Sequence, residues 1–319
     1  MNAAALVRYV LRRIGLAIAV LWAAFTVSFI VLYLMPGDPV ATMAGGGLDG
    51  EPLTPAELDA LRARYGLDQP LIVQYGQHLW NALHGDFGTS VQSGQDVRAA
   101  IAEALPPTLQ IATAGLVVAI VGGTALAVVA TFTRVRWLKQ ALLGLPSLAV
   151  SLPVFWVGLM LVQIFSFGLR LFPSVGAEGP ASLVLPAITL GLPTGALVAQ
   201  VLAKSLDQTL TEPYVTTARA KGVGRAAIHL RHALRNAAIP ALTVLGYVVG
   251  NLLAGSVVVE TVFTRPGIGR LTVAAVGVQD IPLVQGIVVF AAVVFVLVNL
   301  VVDLTYPLLD PRIATGATA

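Results

Sequence analysis

The chain of 319 residues contains no cysteine and little charge. The absence of cysteine excludes thiol nucleophiles, disulfides and thiolate metal sites. Only 11% of the residues are charged, whereas soluble domains carry about 25%. The chain is also 57% hydrophobic, with a mean hydropathy of +0.85. Because so few polar side chains cannot cover the surface of a globular protein, the composition predicts a protein of the lipid bilayer.

Several chemical motifs are missing as well. The four histidines, His78, His84, His229 and His232, all lie outside the long apolar runs, which argues against an intramembrane Ser-His protease. The sequence has no G-x-x-x-x-G-K-[ST] phosphate loop, so we expect no ATPase activity and no cofactor in this chain. Ionisable groups are nearly absent from the apolar runs, which disfavours an ion-driven carrier. The basic residues form no stripe of the kind that binds nucleic acid.

Six apolar stretches are long enough to cross a bilayer, which takes about 20 helical residues. They cover residues 14–35, 109–132, 141–168, 183–203, 237–262 and 283–309. The first follows Arg8, Arg12 and Arg13 as a signal peptide would, but it is longer than the apolar core of about 7–15 residues found in such peptides. We therefore expect a retained helix and an all-α integral membrane protein with six transmembrane helices.

Basic residues collect on one side of these predicted spans. That side carries thirteen basic residues against three acids, and the other carries six against twelve. The basic side comprises residues 1–13, 133–140, 204–236 and 310–319. Because cytoplasmic loops are enriched in lysine and arginine, both termini are predicted to be cytoplasmic. The lipid bilayer is thus the first expected partner.

The outer segment 36–106 is long enough to have its own structure. Thr54-Pro55-Ala56-Glu57 forms a capping box with proline in the first turn, which predicts a helix that ends at Gly66. A second helix is predicted before Gly85, with Ile72, Leu79 and Leu83 on one face. The segment is either a solvated cap or a docking surface for an extracytoplasmic partner.

The inner segment 204–236 has a more specific layout. A helix is predicted to begin near Thr211-Glu212-Pro213, to break at Gly222 and Gly224, and to resume towards Pro240. The alternative is a basic loop that merely sets the orientation of the chain. Because orientation needs no helices, the layout favours a surface that receives force from a cytoplasmic partner.

Proline recurs inside the predicted third and fourth spans. It frees backbone carbonyls and bends helices. Ser147, Ser151, Pro153 and Trp156 are therefore candidates for a pathway or hinge, although proline is common in membrane helices in general. Glu260 and Asp303 lie near span ends and are interpreted as boundary residues.

The inner segment also carries a family resemblance. YVTTARAKG, followed by RHALRNAAIP, resembles the cytoplasmic EAA loop of membrane permeases from binding-protein-dependent ABC importers, with Thr216-Thr217-Ala218 as the small-residue cluster and Gly222 at the glycine. Thr216 stands where that pattern has glutamate, and Arg235 where it has proline. Further segments resemble the first of the two permeases of the dipeptide and oligopeptide branch, in order along the chain: RYVLRR, MPGDPV, RYGLDQPLIVQYGQHLWNALHGDFGTS, ETVFTRPGIGRL, PLVQG and DLTYPLLDPRI.

The resemblance implies a type I ABC importer transmembrane-domain fold in the plasma (inner) membrane. Residues 1–106 would form an N-terminal helix with an extracytoplasmic segment, 107–310 a five-helix permease core, and 311–319 a cytoplasmic tail. It implies as partners a second related permease, one or two ATPase subunits that bind ATP and Mg, and an extracytoplasmic substrate-binding protein. The implied cargo is a dipeptide or oligopeptide. Glutathione, nickel or a metal chelate are alternatives, and a gradient-driven secondary carrier is a remote one.

The resemblance assigns roles to one group of residues, and the glycines and proline of a predicted tight turn suggest roles for another. The first would fit a groove of an ATPase and move the fourth and fifth spans, and its basic members could pair with acidic groups there: Tyr214, Thr216, Thr217, Ala218, Arg219, Ala220, Lys221, Gly222 and Arg225. Since a surface ion pair contributes only about 0–1 kcal/mol, shape should matter more than charge. The second group lies in the last outer turn and would form an outer gate, a contact with the binding protein, or a plain connector: Arg265, Pro266, Gly267, Gly269 and Arg270.

Overall fold

The structure, a computed structural model, describes residues 3–34 and 69–309, together with Thr54, Ala56 and Ala63. Apart from these three residues, the helix predicted to begin at Thr54 lies outside the described residues, as does the tail 311–319. The helices are α1 Ala3–Leu34, α2 Leu71–Leu83, α3 Val97–Phe132, α4 Arg136–Ser151, α5 Val154–Leu161, α6 Ala181–Thr209, α7 Pro213–Ala220, α8 Arg225–Ala227, α9 Leu234–Val262, α10 Ile268–Gly277 and α11 Ile281–Leu309. Two π-helical stretches, π1 Val162–Gly168 and π2 Ile228–Ala233, continue α5 and α8.

The fold is all-α, as predicted. Across the described ranges the only β feature is an isolated bridge between Thr89 and Asp96. Among the described residues, four helices are long and apolar enough to cross a membrane, namely α1, α3, α6 and α11. Helices α4 and α5, with π1, form a bent pair that could make a fifth crossing. The fifth predicted stretch, 237–262, lies within α9, whose shorter apolar part is Gly250–Val262. The count of six spans stays a prediction.

The predicted span 141–168 is broken where the sequence predicted a continuous run. The helix axis changes direction by 104° between the two halves, Arg136–Ser151 and Val154–Gly168. Leu152 and Pro153 between them are extended, with ψ near 132° at both residues. Proline disfavours a helical conformation of the residue before it and has no N–H to donate to the preceding turn. The bend therefore follows from Pro153, and apolar length alone did not reveal it.

The chain divides into two compact units, of which one is Pro106–Arg270. Its central helix is α6, which contacts α4, α5 and α9. The approach of α3 to α6 depends on glycine, because a Cβ at Gly123 would lie 2.5 Å from the carbonyl oxygen of Gly195. Small residues allow such close packing of membrane helices. An apolar cluster that includes Ile111, Leu190 and Phe263 completes this core.

The other unit combines Met1–Leu105 with Leu271–Ala319. In its described part α1 packs against α11. Tyr75 of α2 lies edge-on to Phe25 and Phe29 of α1, with ring centroids 5.7 and 5.3 Å apart. Ser90 donates a hydrogen bond of 2.6 Å to Asp280.

The second predicted outer helix is present as α2 Leu71–Leu83, but its apolar face is not the face that packs. Ile72 and Leu83 remain 79% and 73% exposed. The face that contains Gln74 and Tyr75 packs instead, because Tyr75 fits the α1 phenylalanines and Gln74 donates to the carbonyl of Gln69. Ile72 and Leu83 are therefore not covered by the described part of this chain, and a solvated cap or a docking surface for a partner both stay predictions.

Candidate coupling segment and outer turn

We call residues 212–236 the coupling segment. Its first helix, α7, begins where the sequence predicts, with Glu212 extended and Pro213 in the first helical position. Proline is suited to that position because the first helical N–H has no partner inside the helix. Val215 is completely buried, whereas Thr216, Thr217 and Ala220 are exposed. Val215 is therefore the fully buried side chain of α7, and Thr216, Thr217 and Ala220 form its outward face.

A tight glycine turn ends α7. The N–H of Gly222 donates to the carbonyl of Arg219 at 3.0 Å, and the N–H of Val223 donates to that of Ala218 at 3.1 Å. This pair of bonds is the Schellman arrangement, which needs a left-handed residue at the glycine position. Gly222 has φ +80° and open space around it. The glycine break predicted from the sequence is thus a hydrogen-bonded helix stop.

Several side chains tie the coupling segment to the neighbouring helices. The Arg225 guanidinium donates to the carbonyl of Phe132, at the end of α3, and lies 4.3 Å from the centre of its ring. Asn236 in α9 donates to the Tyr214 hydroxyl at 2.9 Å. Tyr214 in turn donates to the carbonyl of His232 at 3.4 Å. Of the coupling residues predicted to meet an ATPase, Tyr214 and Arg225 therefore already have partners within the chain.

His229 is a buried imidazole at the same junction. Its Nε2 lies 2.8 Å from the Thr131 hydroxyl, and its ring meets that of Phe132 edge-on at 5.4 Å. Burial lowers the pKa of His229, and the nearby Arg225 guanidinium lowers it further. The imidazole is therefore held in its neutral form as part of the packing.

The predicted pathway or hinge residues surround the bend between α4 and α5. Ser147, Ser151, Pro153 and Trp156 are all exposed in this chain. The Ser151 hydroxyl donates to the carbonyl of Ser147 at 2.8 Å, which is a local bond within α4. These residues are brought to one place, and their role in a pathway stays a prediction.

The last outer turn is built around Glu260, near the end of α9. Thr108 donates to one carboxylate oxygen at 2.6 Å, and the N–H of Arg270 donates to the other at 3.1 Å. Thr108 also accepts the N–H of Ile268 at 2.8 Å. A Cβ at Gly267 would lie 2.3 Å from the carboxylate carbon of Glu260. The glycine therefore allows the turn to close over the acid, which is fully buried.

Arg265 is buried in the same turn, with its side chain 0% exposed. Its Nη1 donates to the carbonyls of Gly176 and Ser182 at 3.1 and 3.3 Å and to the Ser182 hydroxyl at 3.1 Å. Its Nη2 donates to the amide oxygen of Gln110 at 3.2 Å. In this conformation Arg265 fixes the turn from inside, and Pro266 and Arg270 are the exposed members of the predicted group.

Sequence reasoning missed the partners of both sites. Thr108, Gln110 and Ser182 hold the outer turn, whereas Thr131 and Phe132 hold the coupling segment. These partners lie 83 to 155 residues away from the groups that they bind. Glu260 offered the one usable signal, because an acid at the end of an apolar run is costly unless it has partners.

Two sequence families match the chain. The family described as binding-protein-dependent transport system inner membrane component matches residues 119–315. Its N-terminal counterpart, the membrane component N-terminal family, matches residues 6–112. The chain belongs to this permease family. The permease is therefore the membrane component of an ABC importer, and the family works with ATPase and substrate-binding partners.

Relatives of the permease match it along nearly its whole length. It is 38% identical over 312 residues to a Brucella suis protein named as a peptide transport system permease, covering 95% of this chain and 98% of the relative. It is also 38% identical over 308 residues to the glutathione transport system permease protein GsiC of Salmonella typhimurium, covering 97% and 99%. The solved structure of an amino acid ABC transporter with histidines aligns with 67% of this chain and with 94% of the transporter's chain. The sequence identity is 17% and the TM-score is 0.47.

Proposed function

We propose that this permease is one translocation subunit of an ATP-driven importer for short peptides and that it pairs with a second, related permease. The names of its relatives support the cargo class, because they describe peptide and glutathione transport and glutathione is itself a tripeptide. Six membrane spans, with both termini in the cytoplasm, fit the charge asymmetry of the sequence. ATP and Mg are then bound by one or two partner ATPase subunits, and cargo is delivered by an extracytoplasmic binding protein.

The coupling segment is the part that would receive the force of ATP hydrolysis. The observation that carries this role is the outward face of α7, held at one end by buried Val215 and at the other by the Gly222 turn. Tyr214 of α7 is bonded to Asn236 of α9, and Arg225 of α8 is bonded to Phe132 of α3, so a displacement of α7 and α8 would be passed to α9 and α3. A bonded helix transmits such a displacement, whereas a flexible basic loop absorbs it.

Bulk added to the turn tests this coupling. In Gly222→Trp, the indole would project into open space beside α7 and obstruct an ATPase groove. The reconstituted complex should still assemble and hydrolyse ATP, but cargo should no longer stimulate hydrolysis or be transported. Gly85→Trp is the matched control, since Gly85 has a similar φ of +73° and equally open space but lies in the predicted outer segment. Unchanged transport in Gly222→Trp would refute the role of this turn.

Proteoliposomes test the cargo. The permease is reconstituted with its second permease, ATPase subunits and binding protein, and uptake of a labelled dipeptide, a tetrapeptide, glutathione and a nickel chelate is compared. Uptake of peptides that needs ATP and survives ionophores supports the proposal. Preference for the nickel chelate would reassign the cargo. Uptake by the permease alone that ionophores abolish would instead indicate a gradient-driven carrier.

A further inference from the structure

A cavity of about 550 Å³ lies between the coupling segment and the inner end of α3. We call it the arginine cavity, because Arg134, Arg219 and Arg225 all line it. None of the described residues that line it is acidic. Its volume falls within the range of about 300–1,000 Å³ that is typical of small-molecule sites. It is therefore large enough to admit a phosphate group with its substituent.

The positive charge of the arginine cavity is not balanced locally. Neither Arg134 nor Arg219 forms an ion pair with any residue that the structure describes. Asp207, the acid that acts on neighbouring His229, is already paired with Lys139 at 3.0 Å. The three guanidinium groups repel one another because they carry like charges. An anion that entered the cavity would offset this repulsion and be attracted by all three groups.

The geometry favours phosphate among the possible anions. Arginine presents a planar fork of donors that matches phosphate oxygens in pairs. Arg225 is already held in place by the carbonyl and ring of Phe132, so binding would not have to order it. A phosphate offers more acceptor oxygens than a single carboxylate, and three guanidinium groups can use them.

The position of the arginine cavity indicates where the phosphate comes from. Arg134 stands two residues beyond the end of α3, and Trp137, in the next turn of chain, is 70% exposed. Exposed tryptophan next to basic residues is typical of the boundary between lipid and water. In the orientation proposed above, this boundary is the headgroup layer of the inner leaflet.

We propose that the arginine cavity binds the phosphate of an anionic phospholipid headgroup and that the bound headgroup braces the coupling segment against α3. The proposal rests on the membrane orientation given under the proposed function. It adds to the permease a lipid site beside its coupling segment, so that the composition of the membrane acts on the stiffness of this junction.

Lipid retention and thermal stability test the proposal. The purified complex is placed in nanodiscs of phosphatidylglycerol, of phosphatidylcholine, or of phosphatidylcholine with inorganic phosphate in the buffer, all without ATP. The unfolding midpoint is measured, and bound phosphatidylglycerol is counted by native mass spectrometry. The variant R134Q/R219Q removes two cavity charges. R231Q/R235Q is the matched control, because it removes two exposed charges of the same segment outside the cavity. R134Q alone serves if the double variant fails to assemble.

We expect phosphatidylglycerol to raise the midpoint of the wild type and to remain bound. Its retention should fall about tenfold for each cavity guanidinium removed, and the control should retain it as the wild type does. If inorganic phosphate produced the same shift, the headgroup assignment would be overturned. Equal losses in both double variants, or no response to phosphatidylglycerol, would overturn the site itself. Loss of ATPase subunits from R134Q/R219Q with lipid retention intact would assign the arginines to a partner's carboxylates instead.

These outcomes are separate from those of the coupling test. Gly222 lines the arginine cavity, so Gly222→Trp tests coupling only. The lipid site is tested without ATP or cargo through Arg134, which is not one of the predicted coupling residues. Failure of the lipid site therefore leaves the coupling role of the segment standing, and failure of coupling leaves the lipid site standing.

Discussion

At the scale of single residues, Glu260 determines how the outer turn closes. Both oxygens of its buried carboxylate accept hydrogen bonds, from Thr108 and from the N–H of Arg270. In Glu260→Gln, the amide nitrogen would face one of these donors, and that donor would lose its partner. We expect the variant to lose about 1–3 kcal/mol of stability, measured by thermal unfolding of the complex in detergent. Glu178→Gln removes an exposed acid instead, and an equal loss there would contradict this explanation.

His229 gives the junction between the coupling segment and α3 a dependence on pH. Its pKa in the folded chain lies below the ordinary value of 6.5, because burial and then Arg225 disfavour the charged imidazole. The unfolded chain therefore binds more protons as the pH falls below about 6.5, and the stability that neutral His229 provides above that pH is progressively lost.

The corresponding experiment follows the unfolding midpoint between about pH 8 and pH 5.5, a window that contains the ordinary histidine pKa. The wild type should lose stability towards the acidic end more steeply than His229→Gln. His232→Gln, which removes an exposed imidazole from the same segment, should behave as the wild type does. Parallel curves for wild type and His229→Gln would show that burial of this imidazole has no part in the acid response.

Local signals in the sequence identified some of these residues and not others. The proline start and glycine stop of α7 could be predicted because both depend on backbone preferences of the residue itself. The burial of Arg265 could not, since its partners Gln110 and Ser182 lie 155 and 83 residues away in the chain. Only packing of the helices brings such distant groups together.

At the scale of helices, the contact between α3 and α6 depends on glycine spacing. A methyl group at Gly123 would lie 2.5 Å from the carbonyl oxygen of Gly195, whereas at the adjacent Gly122 it would meet nothing within 4 Å. Gly123→Ala should therefore destabilise the permease by about 1–3 kcal/mol. Gly122→Ala should be neutral or stabilising by up to about 1 kcal/mol. Thermal unfolding of the two variants gives the comparison, and similar midpoints would mean that the helices do not approach this closely.

Hydropathy predicted where helices lie but not how they are directed. The predicted stretches for α3, α6 and α11 each fall within one helix, and the stretch 14–35 matches α1 up to Leu34. The stretch 141–168 satisfies the same criterion and is nevertheless bent by 104° at Pro153. Apolar length measures the cost of exposure to water, which is the same for a straight helix and for two helices that meet at an angle. The packing face of α2 was missed for a related reason, since Ile72 and Leu83 remain exposed and Tyr75 supplies the contact.

At the scale of the whole molecule, the topology can be measured directly because the chain has no cysteine of its own. Two exposed positions are suitable for single cysteine substitutions: Ala226 in the predicted cytoplasmic segment and Glu178 in the predicted outer loop. A charged maleimide added to right-side-out vesicles should label Glu178→Cys at once and Ala226→Cys only after permeabilisation. The reverse pattern would show that the chain has the opposite orientation in the membrane. Labelling of both positions from outside would contradict the predicted number of spans between them.

Helix α9 runs from the coupling segment to the turn around Glu260. Its 29 residues run unbroken from Leu234 to Val262, a length of about 43 Å. Asn236 binds Tyr214 of α7 at one end, and Glu260 accepts the hydrogen bonds of the outer turn at the other. When a rigid helix of that length tilts by about 5° about one end, its other end moves by about 4 Å, roughly the width of a side chain. If the coupling segment receives a displacement from an ATPase as proposed above, this one helix can carry it to the turn around Glu260.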